Sequence, residues 1–265
     1  MNEKSDKIGS FSGNSESGSE QYEIMELFKK NYAHHYTRHM SREVSESDYV
    51  SASYYYSSEL AFLPDELKQY RTLDLGAGRG LLLRYLKEIG FVNAMGIDVD
   101  PNLAAEAAAY LRPFGIPVIN RDAFDFLPVQ KEQFGLITAF DIIEHFSLAE
   151  CFMLVKAIYE ALLPGGVAVF RAPNMANIFG GFSLYMDITH QMGFTEHNLT
   201  DLLRHGGFSV SELYIAEWPK GHHKTVKFEE SRKFHEHLFS LQDRTHTRCF
   251  DKNIVVYGVK LNAKS

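Results

Sequence analysis

The sequence contains few cysteines and no long apolar run. Its 265 residues include two cysteines, Cys151 and Cys249, which are too few for a metal-binding cluster or a disulfide framework. No stretch reaches the roughly 20 apolar residues that a membrane-spanning helix needs, and no apolar run follows Lys4 and Lys7 as in a secretory signal. These absences predict reduced thiols and a cytoplasmic protein without an integral membrane segment.

Positive charge is also scarce. The chain has 27 Lys and Arg against 34 Asp and Glu, a net charge of -7. Proteins that bind nucleic acid mainly through its phosphates usually carry a basic excess. The composition therefore argues against a nucleic-acid partner. The 45% hydrophobic and 23% charged residues are typical of a globular protein.

The amino-acid composition changes twice along the amino-terminal part of the chain. Residues 1–20, rich in Ser, Gly and Glu, predict a disordered tail. Residues 21–66 predict a helical extension that could act as a lid, because apolar side chains recur every four residues at Phe28, Tyr32, Tyr36 and Met40. The stretch "SYYYSS" (Ser53 to Ser58) is polar and poorly periodic, which predicts a connector.

Residues 67–265 predict the main domain, in which strand and helix patterns alternate. The strand patterns are Thr72–Leu75, Ala94–Val99, Pro117–Asn120, Gly135–Phe140, Val167–Arg171, Ser209–Ile215 and Ile254–Val259. The helical patterns are Leu81–Ile89, Leu103–Leu111, Leu148–Leu162 and Asn198–His205, and "LPGG" (Leu163 to Gly166) is typical of a turn before a strand. The alternation predicts an α/β fold with a doubly wound, mostly parallel sheet of seven strands.

A long insertion, residues 220–246, precedes the last strand pattern, and its middle is predicted to be helical. The absence of a clear crossover helix packing back predicts an antiparallel last strand. The Lys and His residues of the insertion could meet an anionic glycan or phosphate, but such a charge pattern is more typical of a solvated helix face of mixed charge.

The stretch "LDLGAGRG" (Leu73 to Gly80) joins the first strand to the helix that follows. Its glycines have a G-x-G-x-G spacing at Gly76, Gly78 and Gly80. In open parallel sheets ligands bind beyond the carboxyl ends of the strands, and glycines let them approach the main chain. Dinucleotide-binding folds place a third glycine at the position of Leu81. The spacing alone therefore predicts a nucleotide-binding turn of unspecified kind.

Acidic residues mark the ends of three successive strands. Asp74 would repel a pyrophosphate but suits an ammonium group. Asp98 in "GIDVD" is placed to accept both hydroxyls of a ribose, and Asp122 in "RDAFDF" to accept from an adenine amino group. An amino acid, a ribose and an adenine are the parts of S-adenosylmethionine. Each acid taken singly could instead be a surface or capping residue.

From about Arg71 to Phe208 the chain resembles the class I S-adenosylmethionine-dependent methyltransferases. The motifs are "LDLGAGRG", "GIDVD", "RDAF" and "FGLITAFDIIEHF", followed by "LLPGGVAVFRAPN". The resemblance implies a Rossmann-like fold with S-adenosylmethionine as cofactor. It also implies the cofactor-binding residues, which are Asp74, Gly76, Ala77 and Gly78 at the methionine end, Asp98 at the ribose, Val99 against the adenine, Asp122 and Ala123 at the adenine edge, and Phe140 near the sulfonium.

Two further resemblances concern the acceptor. "FDIIEHF" replaces the Asn/Asp-Pro-Pro-aromatic motif of nucleobase amino-methyltransferases, and its Glu144–His145 pair resembles small-molecule O-methyltransferases, including those of ubiquinone biosynthesis. Residues 172–208 are similar to a segment of methyltransferases of bacterial surface-polysaccharide synthesis, with matches at Asn174, Asp187, Thr189 and His190. The run "QMGFTEH" departs from several of them, which have prolines there. The resemblance implies O-methylation of a sugar hydroxyl or terminal phosphate of a surface glycan or its precursor.

The candidate catalytic residues are His190, His145 and Asp187. A hydroxyl acceptor must lose its proton, and His190 could take it while Asp187 holds the other ring nitrogen. His145 is the alternative base, and either histidine could instead bind a loop carbonyl. A phosphate acceptor would need cations and no base. No metal-ligand spacing stands out, so the sequence predicts a metal-independent enzyme, with a divalent-dependent variant as a minor alternative.

Two other functions fit the same motifs. A quinone or phenol O-methyltransferase would have an aromatic, membrane-adjacent acceptor pocket. A non-catalytic S-adenosylmethionine-binding regulator would keep the cofactor acids and tolerate loss of His145 and His190.

Overall fold

A computed structural model describes residues 43–218, 223–241 and 247–261. The predicted tail and the predicted aromatic helix with Phe28, Tyr32, Tyr36 and Met40 lie outside these residues. The strands are β1 Thr72–Leu75, β2 Ala94–Asp98, β3 Val118–Asn120, β4 Phe134–Phe140, β5 Leu162–Pro173, β6 Val210–Tyr214 and β7 Asn253–Val259. They form one sheet in the order β3-β2-β1-β4-β5-β7-β6, in which β7 runs antiparallel to β5 and β6. The predicted fold class, including the antiparallel last strand, is confirmed.

Helices flank this sheet. They are α1 Glu46–Glu59, α2 Leu81–Glu88, α3 Pro101–Leu111, α4 Ala123–Phe126, α5 Leu148–Ala161, α6 Gly180–Tyr185, α7 Glu196–His205 and α8 His223–Ser240. The helix α8 lies where the insertion was predicted to be helical. Short 3-10 turns occur at Asp65–Gln69, Arg112–Phe114, Leu127–Val129 and Ile143–His145. Among the described helices, none has both the length and the apolar character needed to cross a bilayer.

The core has apolar clusters on both faces of the sheet. The neighbours Leu136 and Ile137 of β4 belong to different clusters, because successive side chains of a strand point to opposite faces. Ile137 packs in the cluster that includes α5 and α7, and Leu136 in the cluster that includes α2. The strand order reverses between β1 and β4. The loops that follow these two strands therefore flank the crevice where open α/β sheets bind ligands.

The predicted connector "SYYYSS" is wrong, because Ser53 to Ser58 lie inside α1. Ser45 starts the helix with a capping box to Asp48. Tyr49 lies under the guanidinium of Arg84, 3.6 Å from its ring centroid, and Tyr56 packs against Phe140. Serines between the tyrosines obscure the helical period of the buried side chains of α1. The helix therefore could not be predicted from periodicity and depends on tertiary packing.

The "LPGG" turn is also not a separate turn. Leu163 to Gly166 lie inside β5, which begins at Leu162, and the register with β4 shifts between Phe134 and Leu136. Gly165 has a positive φ of 80° and donates its N–H to the carbonyl of Lys260. The glycine pair therefore makes an irregularity within a strand, because Lys260, directly after β7, exchanges backbone hydrogen bonds with Gly165 and Gly166.

Candidate active site

The glycine turn lies at the carboxyl end of β1. Gly76, Gly78 and Gly80 have positive φ values of 67°, 51° and 82°. A Cβ added at Gly78 would meet only a carbonyl oxygen at 3.9 Å, so backbone conformation and not space requires glycine there. A Cβ added at Gly80 would lie 2.7 Å from Cδ1 of Leu111 in α3. The third glycine therefore permits close packing of α2 against α3.

Asp98 is the last residue of β2 and is buried. Its Oδ2 accepts the N–H of Gly78 at 2.8 Å, and its Oδ1 accepts the N–H of Asp100 at 2.9 Å. Burial raises the pKa of Asp98 to about 6, against the opposing effect of these two bonds. Each carboxylate oxygen has a second lone pair, so the carboxylate can accept ribose hydroxyls as well.

Asp74 lies within β1 and is 2% exposed. Its Oδ1 accepts the hydroxyl of Thr138 on β4 at 2.6 Å. Burial raises the pKa of Asp74 to about 7, and the Asp98 carboxylate acts in the same direction. An ammonium group beside Asp74 would restore its ionised form.

The predicted adenine contacts lie at the ends of β2 and β3. Asp122 caps α4, with Oδ1 accepting the N–H of Phe124 at 2.7 Å. Asp122 therefore does act as a capping residue, the alternative considered for each acid, and this role uses one of its two carboxylate oxygens. Ala123 is buried, whereas Val99 is 53% exposed directly after Asp98. Val99 therefore presents apolar surface that an adenine ring could cover.

Sequence reasoning missed Arg171, near the end of β5. Its guanidinium pairs with Glu59 of α1 at 2.9 Å and with Asp141 after β4. It also lies over the ring of Phe140, 4.6 Å from the centroid, and Phe140 is buried against Tyr56. The available signal was a basic residue in the otherwise apolar run "VAVFRA". Arg171 ties α1 to the loop that follows β4, beside the predicted sulfonium position.

The loops after β4 and β5 bring two histidines together. The ring centroids of His145 and His190 are 4.7 Å apart. Nδ1 of His145 lies 2.7 Å from Oγ1 of Thr189, whose hydroxyl donates to Oδ1 of Asp187 at 2.7 Å. Because that hydroxyl proton is already donated, Nδ1 of His145 must carry a hydrogen. The lone pair of neutral His145 therefore lies on Nε2.

His190 has the same tautomer for a different reason. Its Nδ1 lies 3.0 Å from the carbonyl oxygen of Ser183 and 3.2 Å from that of Leu184, and carbonyls only accept. Among the described contacts, the Asp187 carboxylate binds Thr189 and not His190. The predicted orientation of His190 by Asp187 is therefore wrong, and Asp187 acts on His145 through Thr189.

This part of the site carries negative and neutral groups. Burial lowers the pKa of His145 to about 4, and His190 acts in the same direction. Burial raises the pKa of Asp187, but hydrogen bonds from Thr189 outweigh it and lower the pKa overall. Burial also raises the pKa of Glu144 well above its ordinary value. Ligand atoms of Glu144, His145 and His190 lie within 4.8 Å of one another, so these residues could hold a metal ion.

Comparisons with known proteins agree with this geometry. The profile of a family described as "Methyltransferase domain" matches residues 36–213. The chain therefore belongs to this methyltransferase family. It is an S-adenosylmethionine-dependent methyltransferase, with S-adenosylmethionine as its cofactor. A search of curated proteins found no match.

Several solved structures share the fold. A SAM-dependent methyltransferase from Archaeoglobus fulgidus is 18% identical with a TM-score of 0.61, over 80% of this chain and 94% of the other. An S-adenosylmethionine-dependent methyltransferase from Mesorhizobium loti is 18% identical with a TM-score of 0.56, over 78% and 97%. A Haemonchus contortus phosphoethanolamine N-methyltransferase, solved with S-adenosylhomocysteine, is 17% identical with a TM-score of 0.54, over 78% and 53%. At these identities the structures establish the fold alone.

Proposed function

We propose that the protein transfers a methyl group to a hydroxyl of a bacterial surface glycan or its precursor. The observation that carries the proposal is the pair of adjacent imidazoles, His145 and His190, whose Nδ1 atoms are held by Thr189 and by the Ser183 carbonyl. Their lone pairs lie on Nε2. This pair can deprotonate or polarise a hydroxyl, which is the help that O-methylation of a sugar needs.

The same surroundings favour a neutral hydroxyl over a phosphate. In addition to burial, the carboxylates of Asp141 and Asp187 raise the pKa of Glu144. The nearby Arg171 is already paired with Asp141 and Glu59. A phosphate acceptor would bring further negative charge to this acidic neighbourhood. The hydroxyl is therefore the better acceptor.

The residues that would hold the cofactor lie at the carboxyl ends of β1, β2 and β3. Asp74 would hold its ammonium group, Asp98 its ribose and Asp122 its adenine, while Gly76, Ala77 and Gly78 would leave the main chain accessible. The cofactor would supply an electrophilic methyl carbon, on which the acceptor oxygen would displace the sulfur in line, with the carbon–sulfur bond breaking and the thioether as leaving group. Alignment of the three atoms supplies several kcal/mol of the rate enhancement. The acceptor proton passes to the histidine pair.

Support for a glycan comes from the similarity of residues 172–208 to polysaccharide methyltransferases. Both cysteines, Cys151 and Cys249, are buried free thiols, in keeping with a reducing cytoplasm.

One observation favours a second candidate, an O-methyltransferase of quinones or phenols. Apolar side chains at and beside α6 are 52–85% exposed, namely Ile178, Phe179, Phe182, Tyr185, Met186 and Ile188. Such a patch suits a lipid-like acceptor.

Labelled cofactor offered with separate panels of acceptors tests the proposal. The panels are nucleotide sugars, lipid-linked glycans, quinones and phenols, and small amines. We expect label in a glycan or nucleotide sugar, with loss of transfer in His190→Ala and retention in the exposed control His205→Ala. Label confined to quinones and phenols would establish the second candidate. Label confined to amines would refute both, and no label with any panel would favour a binding protein.

A further inference from the structure

Glu144 is a buried acid with an unsatisfied oxygen. The residue is 2% exposed and lies in the 3-10 turn after β4. Among the described residues, nothing forms a hydrogen bond to its Oε2. A buried carboxylate oxygen normally has a partner, because leaving it without one costs the full desolvation of the group. Within the part of the chain that the structure describes, this oxygen therefore remains without a partner and can accept an added group.

The two histidines beside Glu144 are arranged as metal ligands usually are. A ligating imidazole donates its second ring N–H to a carbonyl, a hydroxyl or a carboxylate, which fixes its tautomer and orientation. His190 does so to the carbonyl of Ser183, and His145 does so to Thr189, which in turn donates to Asp187. In both rings the lone pair is consequently on Nε2, the nitrogen that can coordinate an ion.

We propose that Glu144, His145 and His190 bind one divalent first-row transition-metal ion. Their ligand atoms lie within 4.8 Å of one another. Ligands about 2.0–2.2 Å from a shared ion lie about 3–4 Å apart, so side-chain adjustments of about an ångström close the site. Two imidazoles and one carboxylate select ions such as Zn²⁺, Co²⁺ or Fe²⁺ over Mg²⁺, which takes oxygen ligands. Three protein ligands leave positions for substrate oxygen.

The catalytic consequence of this site rests on the proposed function, whereas the binding itself does not. An ion that contacts the acceptor oxygen lowers the pKa of the hydroxyl and orients it towards the methyl group. His145 and His190 are then both ligands and not bases, and the acidified hydroxyl releases its proton to solvent in place of the histidine pair. This proposal differs from the metal independence predicted from the sequence. The ligands come from two loops far apart along the chain, so no local ligand spacing indicates them.

Binding of Co²⁺ by the full chain, stripped of metal with a chelator, tests the site without cofactor or acceptor. Calorimetry and visible absorption should show one Co²⁺ per chain. Glu144→Gln and His190→Ala should bind at least about 100-fold more weakly, beyond the 10–100-fold cost of losing an outer contact, while Thr189→Val should fall within that range. His205→Ala removes an exposed histidine and should bind as the parent does. No binding at millimolar Co²⁺, or equal binding in all variants, would overturn the proposal.

Folding and function are separated by two further measurements. Glu144→Gln replaces an unsatisfied acid by a neutral side chain of the same shape, so the Tm of the metal-free variant should not fall. If His190→Ala fails to fold, Co²⁺ binding by Glu144→Gln alone decides the test. Undiminished methyl transfer by chelator-treated protein would overturn the catalytic consequence and leave the proposed function standing. Co²⁺ binding without any methylated glycan would confirm the metal site and refute the acceptor.

Discussion

Gly78 donates its backbone N–H to the Asp98 carboxylate, 2.8 Å away and twenty residues further along the chain. This bond joins the turn after β1 to the end of β2. The acid predicted to bind ribose therefore also holds the glycine turn in place, and its removal has two separable effects.

The first prediction concerns Asp98→Ala. Loss of two ribose bonds to a charged acceptor, each worth about 1.5–3 kcal/mol, should weaken binding of S-adenosylhomocysteine at least tenfold. The variant also leaves the N–H groups of Gly78 and Asp100 without their acceptor, so the free energy of unfolding should fall by about 1–3 kcal/mol. Calorimetry and urea unfolding measure the two effects, with the exposed Asp201→Ala as control. Unchanged affinity would place the ribose elsewhere.

The second prediction compares two glycines. Gly78 and Gly115 both have positive φ, 51° and 69°, and a Cβ at either would meet no atom nearer than 3.9 Å. Alanine at either position should therefore cost about 1–2 kcal/mol of folding stability through backbone strain. Only Gly78→Ala should weaken binding of S-adenosylhomocysteine, because Gly115 lies after α3, away from the crevice. Equal affinities in the two variants would exclude the glycine turn from the cofactor site.

The third prediction follows from the pKa of Asp74, about 7 against an ordinary 3.8. The ionised carboxylate pairs with the ammonium group of the cofactor, so affinity should fall as the pH drops below 7, by up to about tenfold per pH unit. Calorimetric titrations across this range measure it. Asp74→Asn should bind more weakly at high pH and lose most of this dependence. An unaltered pH profile in the variant would assign it to another group.

The stability of the unliganded protein should change with the opposite sign. Between pH 3.8 and about 7 the folded protein holds a proton on Asp74 that the unfolded chain has released. The contribution of Asp74 is therefore fully present below pH 3.8 and is lost as the pH rises towards 7. Asp74→Asn should flatten the decline in Tm over that window, and a steeper decline would contradict the assignment.

The fourth prediction concerns His190→Ala. The variant should lower the turnover number by about 10²-fold or more with affinity for S-adenosylhomocysteine intact, whether His190 is base or metal ligand. Steady-state kinetics and calorimetry measure the two quantities, with His205→Ala as control. Concurrent loss of Co²⁺ binding would identify a ligand, and retained Co²⁺ binding a base.

Other outcomes for this variant have distinct meanings. A raised KM at constant turnover would make His190 an acceptor-binding residue. Normal kinetics with a lower Tm would make it structural and leave the proton transfer to His145.

Local sequence patterns were sufficient for most of the strands and for the acids at or near their ends. The apolar runs around Asp74 and Asp98 predicted β1 and β2 to within one residue, because a buried parallel strand reads as a continuous apolar run whose end is marked by the first polar residues. The position of Asp122, two residues after the end of β3, follows from the same pattern. These inferences need only neighbours along the chain.

The remaining features depend on contacts between distant segments. The helix α1 was misread because its buried tyrosines acquire partners only when Arg84 and Phe140 are folded against them. Three further features likewise join loops and strands that are far apart in sequence. They are the ion pairs of Arg171, the reversal of strand order between β1 and β4, and the contact of Glu144 and His145 with His190. Thus the sequence by itself determined most of the strands and the positions of Asp74, Asp98 and Asp122 along them. Only the tertiary structure decided which buried groups share a site. Strand order and packing bring these groups together, and local periodicity predicts neither strand order nor packing.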